Sequence, residues 1–548
     1  MVSSMRRRIL VAVAWPYASG SRHLGHLGGV YLPADIFARY HRIAGNDVLM
    51  VSGSDANGTP ITVKADELGI TPREVVDKYH PEFLGYWETL GISFDLFTTT
   101  MTENHHSVTQ QFFLKLLDKG YLTKGSSEQF YDPEAERFIP DRYVEGTCPH
   151  CGYPDARGDQ CENCGRTLDA TDLINPRSKL SGVTPELRET EHYFLQLPIF
   201  KDRLREWIEP QTTWRKHVKN WALGMLEDLP ERAITRDIEW GVEVPVDDLG
   251  PGKRIYVWFD AVIGYLSAAI EWASNTDDAD SWKAWWEDPD AESYYFVGKD
   301  NIPFHAVIWP AMLMGHGGLN LPTNVPANQY ITFKGEKASA SKGVGNSIGF
   351  YASRLQPDAL RYAIASILPE QNDTDLSDAQ IVRRVNEELV ATWGNLVNRV
   401  LSMSANNFDG AVPEPGDLTE ADRVILDLGP ATLESVSEHI EKVELRAGLR
   451  SALDAAGEVN AYLNATEPWR VLKDDPVRGG TILWTAIQTI SAVRVALTPY
   501  LPFSSETIGV LLGLDPEVAE WAAPAVAGGT VLGEVKPLFT KLDSDVFD

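Results

Sequence analysis

ILVAVAWPYASGSRHLGH, residues 9 to 26, opens with an apolar run of strand length, Ile9 to Trp15, and then turns at Pro16 into a Gly- and Ser-bearing segment. A helical pattern follows from about His26 to Ile43, and a second strand-like run, Val48 to Ser52, ends at Gly53-Ser54-Asp55. Strand, turn, helix and strand in that order begin a parallel α/β sheet. Arg6 to Arg8 ahead of the apolar run suggest a secretion signal, but the run has only seven residues and stops at Pro16, so a buried strand is the better reading.

Further along, Ile255 to Phe259 and Tyr294 to Val297 are short strand-like runs, the second leading through Gly298-Lys299-Asp300 into the helix-like FHAVIWPAMLMG. Between the two α/β portions lies a turn-rich stretch with DPEAERFIPDR and no strand–helix rhythm, which reads as an insertion. Near the C-terminus NEELVATWGNLVNRVLSM and EKVELRAGLRSALDAAGEVNAYLN carry helical periodicity, and strands vanish. The expected organisation is a first α/β half over 1–120, an insertion over 121–235, a second α/β half over 236–325, a loop and linker over 326–375, and an all-α bundle over 376–548.

A chain of 548 residues, 43% of them hydrophobic, is too long for one core and rich enough for several, so two to four domains are expected. Asp plus Glu outnumber Lys plus Arg by 78 to 49, which excludes a broad basic coat for nucleic acid and confines any RNA contact to local surface. The acidic excess either keeps the surface soluble or reflects a salty cytoplasm. No apolar stretch reaches the roughly 18 residues of a membrane span, so the expectation is a soluble, cytoplasmic protein with no membrane contact.

All four cysteines fall in one window as two C-x-x-C pairs, Cys148 with Cys151 and Cys161 with Cys164. Two such turns aim four thiolates at one point, and a closed four-sulfur tetrahedron suits one structural zinc per chain with no open position for chemistry. Two disulfides or a redox dithiol are the alternatives; CPHC and GDQCENCG read as knuckle turns, and the zinc reading is preferred.

Ligands of open α/β sheets bind beyond the carboxyl ends of the strands. Four segments fall at such positions: Pro16 to His26, Ser54-Asp55-Ala56-Asn57-Gly58, Trp258-Phe259-Asp260-Ala261 and Gly298-Lys299-Asp300. His23 and His26 stand three apart where a helix begins, so two imidazoles and the unpaired backbone N–H groups would face phosphate oxygens. Gly25 between them removes a Cβ that would obstruct an adenine ring. By itself H-x-G-H is equally consistent with a helix start of no consequence.

PYASGSRHLGHLGG resembles the HIGH signature of class I aminoacyl-tRNA synthetases. GSDANGTPI, FYDPEAERFIPDRYVEGTCPHCG, GVTPELRETEHYF, YVWFDAVIGYLSA, VGKDNIPFHAVIWPAM and LNATEPW each resemble the methionyl-tRNA synthetase family, over nearly the whole chain. The chain also lacks room for the large editing insertion of the isoleucyl, valyl and leucyl enzymes. The resemblance implies a Rossmann-like catalytic domain split by a zinc-bearing connective insertion and followed by an α-helical anticodon-binding domain. Its implied activity is ATP-dependent activation of L-methionine to methionyl-adenylate, then transfer to the 3′ end of methionine tRNA.

By the same resemblance His23, Gly25, His26, Gly298, Lys299, Asp300 and Ala340 would meet Mg-ATP, and Asp55 would hold the methionine ammonium. Ala14, Tyr17, Trp258, Ala261, Tyr265 and His305 would line the methionine side chain, although Tyr17 and Trp258 read by themselves as core packing. His23, His26, Arg236, Lys337 and Lys342 would act in activation. Asn395, Arg399 and Trp469 would read the anticodon, although Trp469 after Pro468 also suits a helix junction. Three departures stand out. The KMSKS-like loop at 337–341 has Ala340 for its second lysine, Val262 replaces a frequent Pro, and Asn301 replaces an apolar residue. Lys337 or Lys342 supplies the missing charge, or the loop works through backbone and Ser contacts, or activation is weak.

The same scaffold admits two rivals. A cysteine-charging relative would need Cys or His at the active-site strand ends, and every Cys lies in the knuckle. A non-catalytic RNA-binding paralogue is opposed by His23, His26 and Asp55 and favoured slightly by Ala340. A monomer is the default expectation, with a tRNA-binding partner supplied in trans left open.

Overall fold

The computed structural model describes residues 6–548 apart from 159, 160, 162, 165–167, 169, 334 and 338–344, with the backbone alone at Glu336 and Lys337. Ile9 to Val13 are all buried, which is why this strand reads as an unbroken apolar run and not as an alternation. It is the middle strand of a five-stranded sheet. Arg8–Val13 pairs in parallel with Asp47–Ser54 on one side and with Glu292–Gly298 on the other. Leu96–Thr99 and Ala327–Asn328 complete the edges, also in parallel. The chain therefore leaves the central strand towards one edge and later returns on its other side, so the strand order reverses at the carboxyl ends of Arg8–Val13 and Glu292–Gly298. That crevice is where open α/β sheets bind ligands.

Helices cover both faces. Leu24–His26, a π-helical turn Leu27–Tyr31 and Leu32–Ile43 form one continuous helical stretch after the first strand. The run expected as a strand over Ile255 to Phe259 is a different element. Lys253–Ile255 is a short strand, and Val257 begins an 18-residue helix ending at Ser274. That helix is buried around most of its circumference, and over five residues such a segment has no period to distinguish it from a buried strand.

The insertion is antiparallel. Leu122–Asp132 and Glu186–Leu195 pair over ten residues, from Leu122 with Leu195 to Tyr131 with Glu186. A small three-stranded sheet, with Val144–Thr147 in its centre, carries the cysteines. The helices Lys201–Ile208 and Lys216–Met225 lead back to the parallel sheet.

The C-terminal bundle runs through Glu420–Glu441, Leu445–Thr466, Pro468–Asp474, Pro476–Leu497 and Pro502–Leu511. The helical reading to the very end is corrected: among the described residues no helix follows Leu511. The last stretch instead lies as an irregular strap whose Val526, Leu532, Leu538 and Phe539 are buried. Pro476–Leu497, interrupted by Arg478 and Arg494, is long and apolar enough to cross a membrane, but 89% of its most apolar 18-residue window is buried inside the protein.

Bundle and sheet share buried polar contacts. Arg361, fully buried, pairs with Asp35 at 2.7 Å and donates to the carbonyls of Leu90, Pro499 and Tyr500. Removing one partner of a buried pair like this strands a charge, so the contact fixes how the bundle is set against the sheet.

Candidate active site and metal centre

A cavity of about 490 Å³ opens at the crevice between the two central strands. Its walls include Ala14, Tyr17, His23, Gly25, His26, Asp55, Trp258, Ala261, Tyr265, Gly298, Asp300 and His305. Thus the four segments singled out from the sequence converge in space. The segment Trp258 to Ala261 reaches it from the first turn of a helix and not from a strand end. Val262 and Asn301 line the cavity as well. Two π-helical turns border the site, Leu27–Tyr31 and Phe304–Ile308, the second carrying His305. Such turns are frequent at functional sites.

His23 caps the helix that begins at Leu24. Its Nδ1 accepts from Gly25 N at 3.1 Å, His26 Nδ1 accepts from His23 N at 3.3 Å, and the ring centroids are 3.8 Å apart. Each imidazole thus gives its Nδ1 side to the helix start, which the sequence reading had turned towards phosphate. A Cβ at Gly25 would stand 2.9 Å from the His23 ring, so glycine here makes room for that imidazole. Gly53 performs a similar task for Trp15, whose ring would lie 2.3 Å from a Cβ there.

Asp55 is 3% exposed at the end of its strand, and Tyr17 and Asp55 are bridged through their backbones. Asn57 links two buried carboxylates. Its N donates to Asp55 Oδ1 at 3.3 Å, and its Nδ2 donates to Asp260 Oδ2 at 2.9 Å. Burial pushes both carboxyls well above their usual range, and Asp260 is raised further by Asp55. Among the described residues Asp260 Oδ1 has no hydrogen-bond partner. A cationic group beside such carboxyls would favour the charged form that burial disfavours.

On the other wall, His305 Nδ1 lies 2.9 Å from the Asn301 carbonyl and His305 Nε2 lies 2.7 Å from the Tyr265 hydroxyl. A carbonyl only accepts, so Nδ1 carries the proton and the Tyr265 O–H donates to Nε2. Burial lowers the imidazole to about 4, so the ring is neutral and this wall is uncharged at neutral pH. Trp258 packs against Phe304 with ring centroids 3.9 Å apart.

Two predicted residues stand outside the lining. Lys299 Nζ pairs with Asp373 at 2.7 Å and sits 4.0 Å over the Tyr330 ring. Arg236 donates to the carbonyls of Ala233 and Thr235 and rests 4.1 Å over the Tyr256 ring. Ala340 and Lys342 lie outside the described residues, as does the side chain of Lys337. Sequence reasoning missed Trp15, Arg22, Arg142, Gln329, Tyr330 and Ile331 in the lining. Tyr330 and Ile331 stand a few residues ahead of the KMSKS-like loop at 337–341, and Arg142 belongs to FIPDRYVEG, within a segment that the resemblance marks.

The sulfurs of Cys148, Cys151, Cys161 and Cys164 all lie within 4.8 Å of one another, with Cys148 to Cys164 at 3.9 Å and Cys151 to Cys161 at 3.6 Å. None is in a disulfide. A zinc with Zn–S bonds of about 2.3 Å spaces its sulfurs about 3.8 Å apart, which the Cys148–Cys164 and Cys151–Cys161 separations match.

In the bundle, Arg399 donates to Asn460 Oδ1 at 3.2 Å and Asn464 Oδ1 at 3.3 Å, and its guanidinium carbon lies 5.7 Å from the Trp469 ring centroid. Trp469 is 37% exposed, and Asn395 is exposed one turn before Arg399. The three residues predicted to act together share one region of surface.

Comparison with known proteins gives two family matches. Residues 9–401 match the model of tRNA synthetases class I (M), and residues 412–545 match the anticodon binding domain of methionyl tRNA ligase. The chain is 52% identical to the methionine–tRNA ligase of Roseiflexus castenholzii over 94% of this chain and 90% of that one. It is 46% identical to the methionine–tRNA ligase of Thermobifida fusca over 100% of this chain and 98% of that one. Among solved structures, Mycobacterium tuberculosis methionyl-tRNA synthetase bound by methionyl-adenylate superposes with a TM-score of 0.81 at 26% identity, covering 98% of this chain and 100% of that one. The free state of that enzyme gives a TM-score of 0.74 at 26% identity, covering 99% of each chain.

Proposed function

The chain belongs to the methionyl-tRNA synthetases, class I enzymes that join methionine to ATP and pass the methionyl group to tRNA, and from that premise we propose how its residues divide the work. Asp55 holds the methionine ammonium. Ala14, Tyr17, Trp258, Ala261, Tyr265 and His305 surround the thioether, which gains about 0.3–1.5 kcal/mol from each soft contact with an aromatic ring. His23, Gly25, His26, Gly298, Lys299, Asp300 and Ala340 form the side for Mg-ATP, with phosphate contact falling to the Nε2 side of each imidazole.

The methionine carboxylate attacks the α-phosphorus, a new O–P bond forms, and the bond to pyrophosphate breaks with its electrons on the leaving oxygen. Arg236, Lys337 and Lys342 offset charge that develops on the phosphates. No residue here is asked to be a nucleophile; rate comes from placement and fixed electrostatics. The tRNA 3′-terminal adenosine then takes the methionyl group.

One zinc held by Cys148, Cys151, Cys161 and Cys164 fastens the insertion and leaves no coordination position for substrate. Asn395, Arg399 and Trp469 read the anticodon of methionine tRNA. The division of the chain is 1–120 and 236–325 for catalysis, 121–235 for the connective insertion, 326–375 for the KMSKS-like loop and linker, and 376–548 for anticodon binding. The enzyme works as a cytoplasmic monomer.

The observation that carries this reading is the convergence of the buried Asp55 carboxyl, an uncharged wall at Tyr265 and His305, and the His23–His26 helix start on one cavity. A crystal structure with a non-hydrolysable methionyl-adenylate analogue tests it. The ammonium should meet Asp55 and the thioether should lie against Tyr265 and His305; an analogue bound in another cavity refutes the assignment.

A further inference from the structure

Arg22 is 9% exposed, in the turn between the central strand and the helix start Leu24–His26, and it lines the cavity. Its Nε and Nη2 both donate to Gly20 O, at 3.0 and 2.5 Å, and the guanidinium lies 5.0 Å over the Phe83 ring. Among the described residues no carboxylate forms an ion pair with it. Glu82 acts on it electrostatically, but that carboxylate accepts the Tyr86 hydroxyl proton. Burial pulls the guanidinium below its ordinary value, and a buried charge is costly until an anion pairs with it.

The remaining corner of the guanidinium, Nη1, stands 3.5 Å from His26 Nε2. His26 Nδ1 accepts from His23 N at 3.3 Å, so the ring carries its proton on Nε2. Nη1 and Nε2 are then two donors side by side, and one acceptor between them serves both. An anionic oxygen is the acceptor that also balances the buried charge.

The same turn is fastened to the chain that leaves the KMSKS-like loop. Ile348 N donates to Arg22 O at 2.8 Å, and His23 and Ser347 pair in an antiparallel bridge. Arg22 therefore stands on the rim to which the loop returns, and that loop has Ala340 where the resemblance calls for a second lysine.

We propose that Arg22 supplies the positive charge that Ala340 removes from the KMSKS-like loop, and so acts as a catalytic residue in methionine activation. The proposal rests on the reading that the Nε2 side of His26 meets phosphate. Nη1 and His26 Nε2 donate to one phosphate oxygen, so charge that grows as the bond to pyrophosphate breaks is offset from the helix start as well as from the loop. The methionine carboxylate forms the new O–P bond, pyrophosphate keeps the electron pair of the broken one, and no proton moves to or from Arg22.

Single-turnover adenylate formation by the full chain, with the methionine Kd measured alongside, tests this. Arg22→Gln should slow adenylate formation about 10- to 100-fold, the scale of a lost hydrogen bond to a charged group, and leave the methionine Kd at its wild-type value. Arg22→Lys should recover part of the rate. Adding Ala340→Lys to Arg22→Gln should recover most of it, while Ala340→Lys alone should gain less. Packing over Phe83 is not restored from the loop, so this rescue separates charge from structure. A wild-type rate in Arg22→Gln overturns the proposal. So does a loss that Ala340→Lys fails to repair, or one in which the methionine Kd rises as the rate falls. His26→Asn keeps an acceptor for the helix start and removes Nε2. A wild-type rate in that variant removes the phosphate reading of His26, while the rescue still decides whether Arg22 replaces the loop's charge.

Discussion

Replacing Tyr265 by Phe removes one oxygen from the cavity wall and leaves the ring packing in place. In the wild-type chain the Asn301 carbonyl accepts from His305 Nδ1, and the Tyr265 hydroxyl donates to Nε2 at 2.7 Å. The two side chains are 1% and 3% exposed, so in the wild-type chain each is the other's partner and neither is hydrated from bulk water. A buried acceptor stripped of its donor costs about 1–3 kcal/mol. In the ligand-free cavity a water reaching Nε2 replaces the hydroxyl, and the free protein loses little stability. Methionine has to expel that water, so the cost moves to binding. The expected result is a methionine Kd raised about 5- to 150-fold with the KM for ATP unchanged. Norleucine, with a methylene in place of sulfur, should lose the same factor, because the hydroxyl proton is engaged by His305 and not by the thioether. Equilibrium titration of both ligands into wild type and Tyr265→Phe decides the matter. An unchanged methionine Kd refutes the placement of Tyr265 and His305 at the side chain. A loss confined to methionine refutes the proton assignment, since the hydroxyl would then be donating to sulfur.

Metal analysis of protein purified without chelator should find about one zinc per chain, and Cys161→Ala should abolish it and loosen the insertion; protein that is zinc-free, or disulfide-bonded at these cysteines in the cell, contradicts the site. Lys337→Ala and Lys342→Ala, singly and together, should slow adenylate formation in single-turnover assays with little change in methionine affinity, the mark of an interaction made chiefly in the transition state. Wild-type rates in both would show that charge in this loop is irrelevant. Trp469→Ala should leave tRNA-independent pyrophosphate exchange unchanged while lowering kcat/KM for methionine tRNA about 5- to 150-fold, the loss of a stacking platform of about 1–3 kcal/mol. If the variant keeps the wild-type preference for methionine tRNA over an anticodon-substituted tRNA, Trp469 only packs the bundle.

The sheet was legible because its central strand is buried on both faces and reads as unbroken apolar sequence, and because the turn after it carries two histidines and a glycine at helix-start spacing. Spacing also revealed the cysteine cluster, since C-x-x-C turns are local. The error at Ile255 to Phe259 has the opposite origin: a helix buried all round and a buried strand present the same five apolar letters. The irregular strap after Leu511 was hidden because it is held by scattered buried residues, Val526, Leu532 and Phe539, that have no period.

Within the site, the residues that the motifs mark were found, while Trp15 after the first strand, Gln329 just past Asn328 and Arg142 from the insertion were not. Arg142 reaches the cavity on a turn of the insertion, and that turn is held where Tyr143 reaches Asp66, a contact between residues 77 apart in sequence. The histidine roles shifted for a similar reason. From the sequence, His23 and His26 were two groups facing a ligand; in the structure their Nδ1 atoms complete the helix cap, because the first turn of a helix has N–H groups that need acceptors.

The most direct test of the whole account is amino-acid-dependent ATP–pyrophosphate exchange without tRNA, run with each standard amino acid on the wild-type chain and on Asp55→Asn. The account predicts exchange with methionine and a loss of about 10- to 100-fold in kcat/KM for methionine when Asp55 loses its charge, the scale of a missing charge-assisted bond. Exchange driven by a different amino acid, or methionine exchange indifferent to Asp55→Asn, would contradict it.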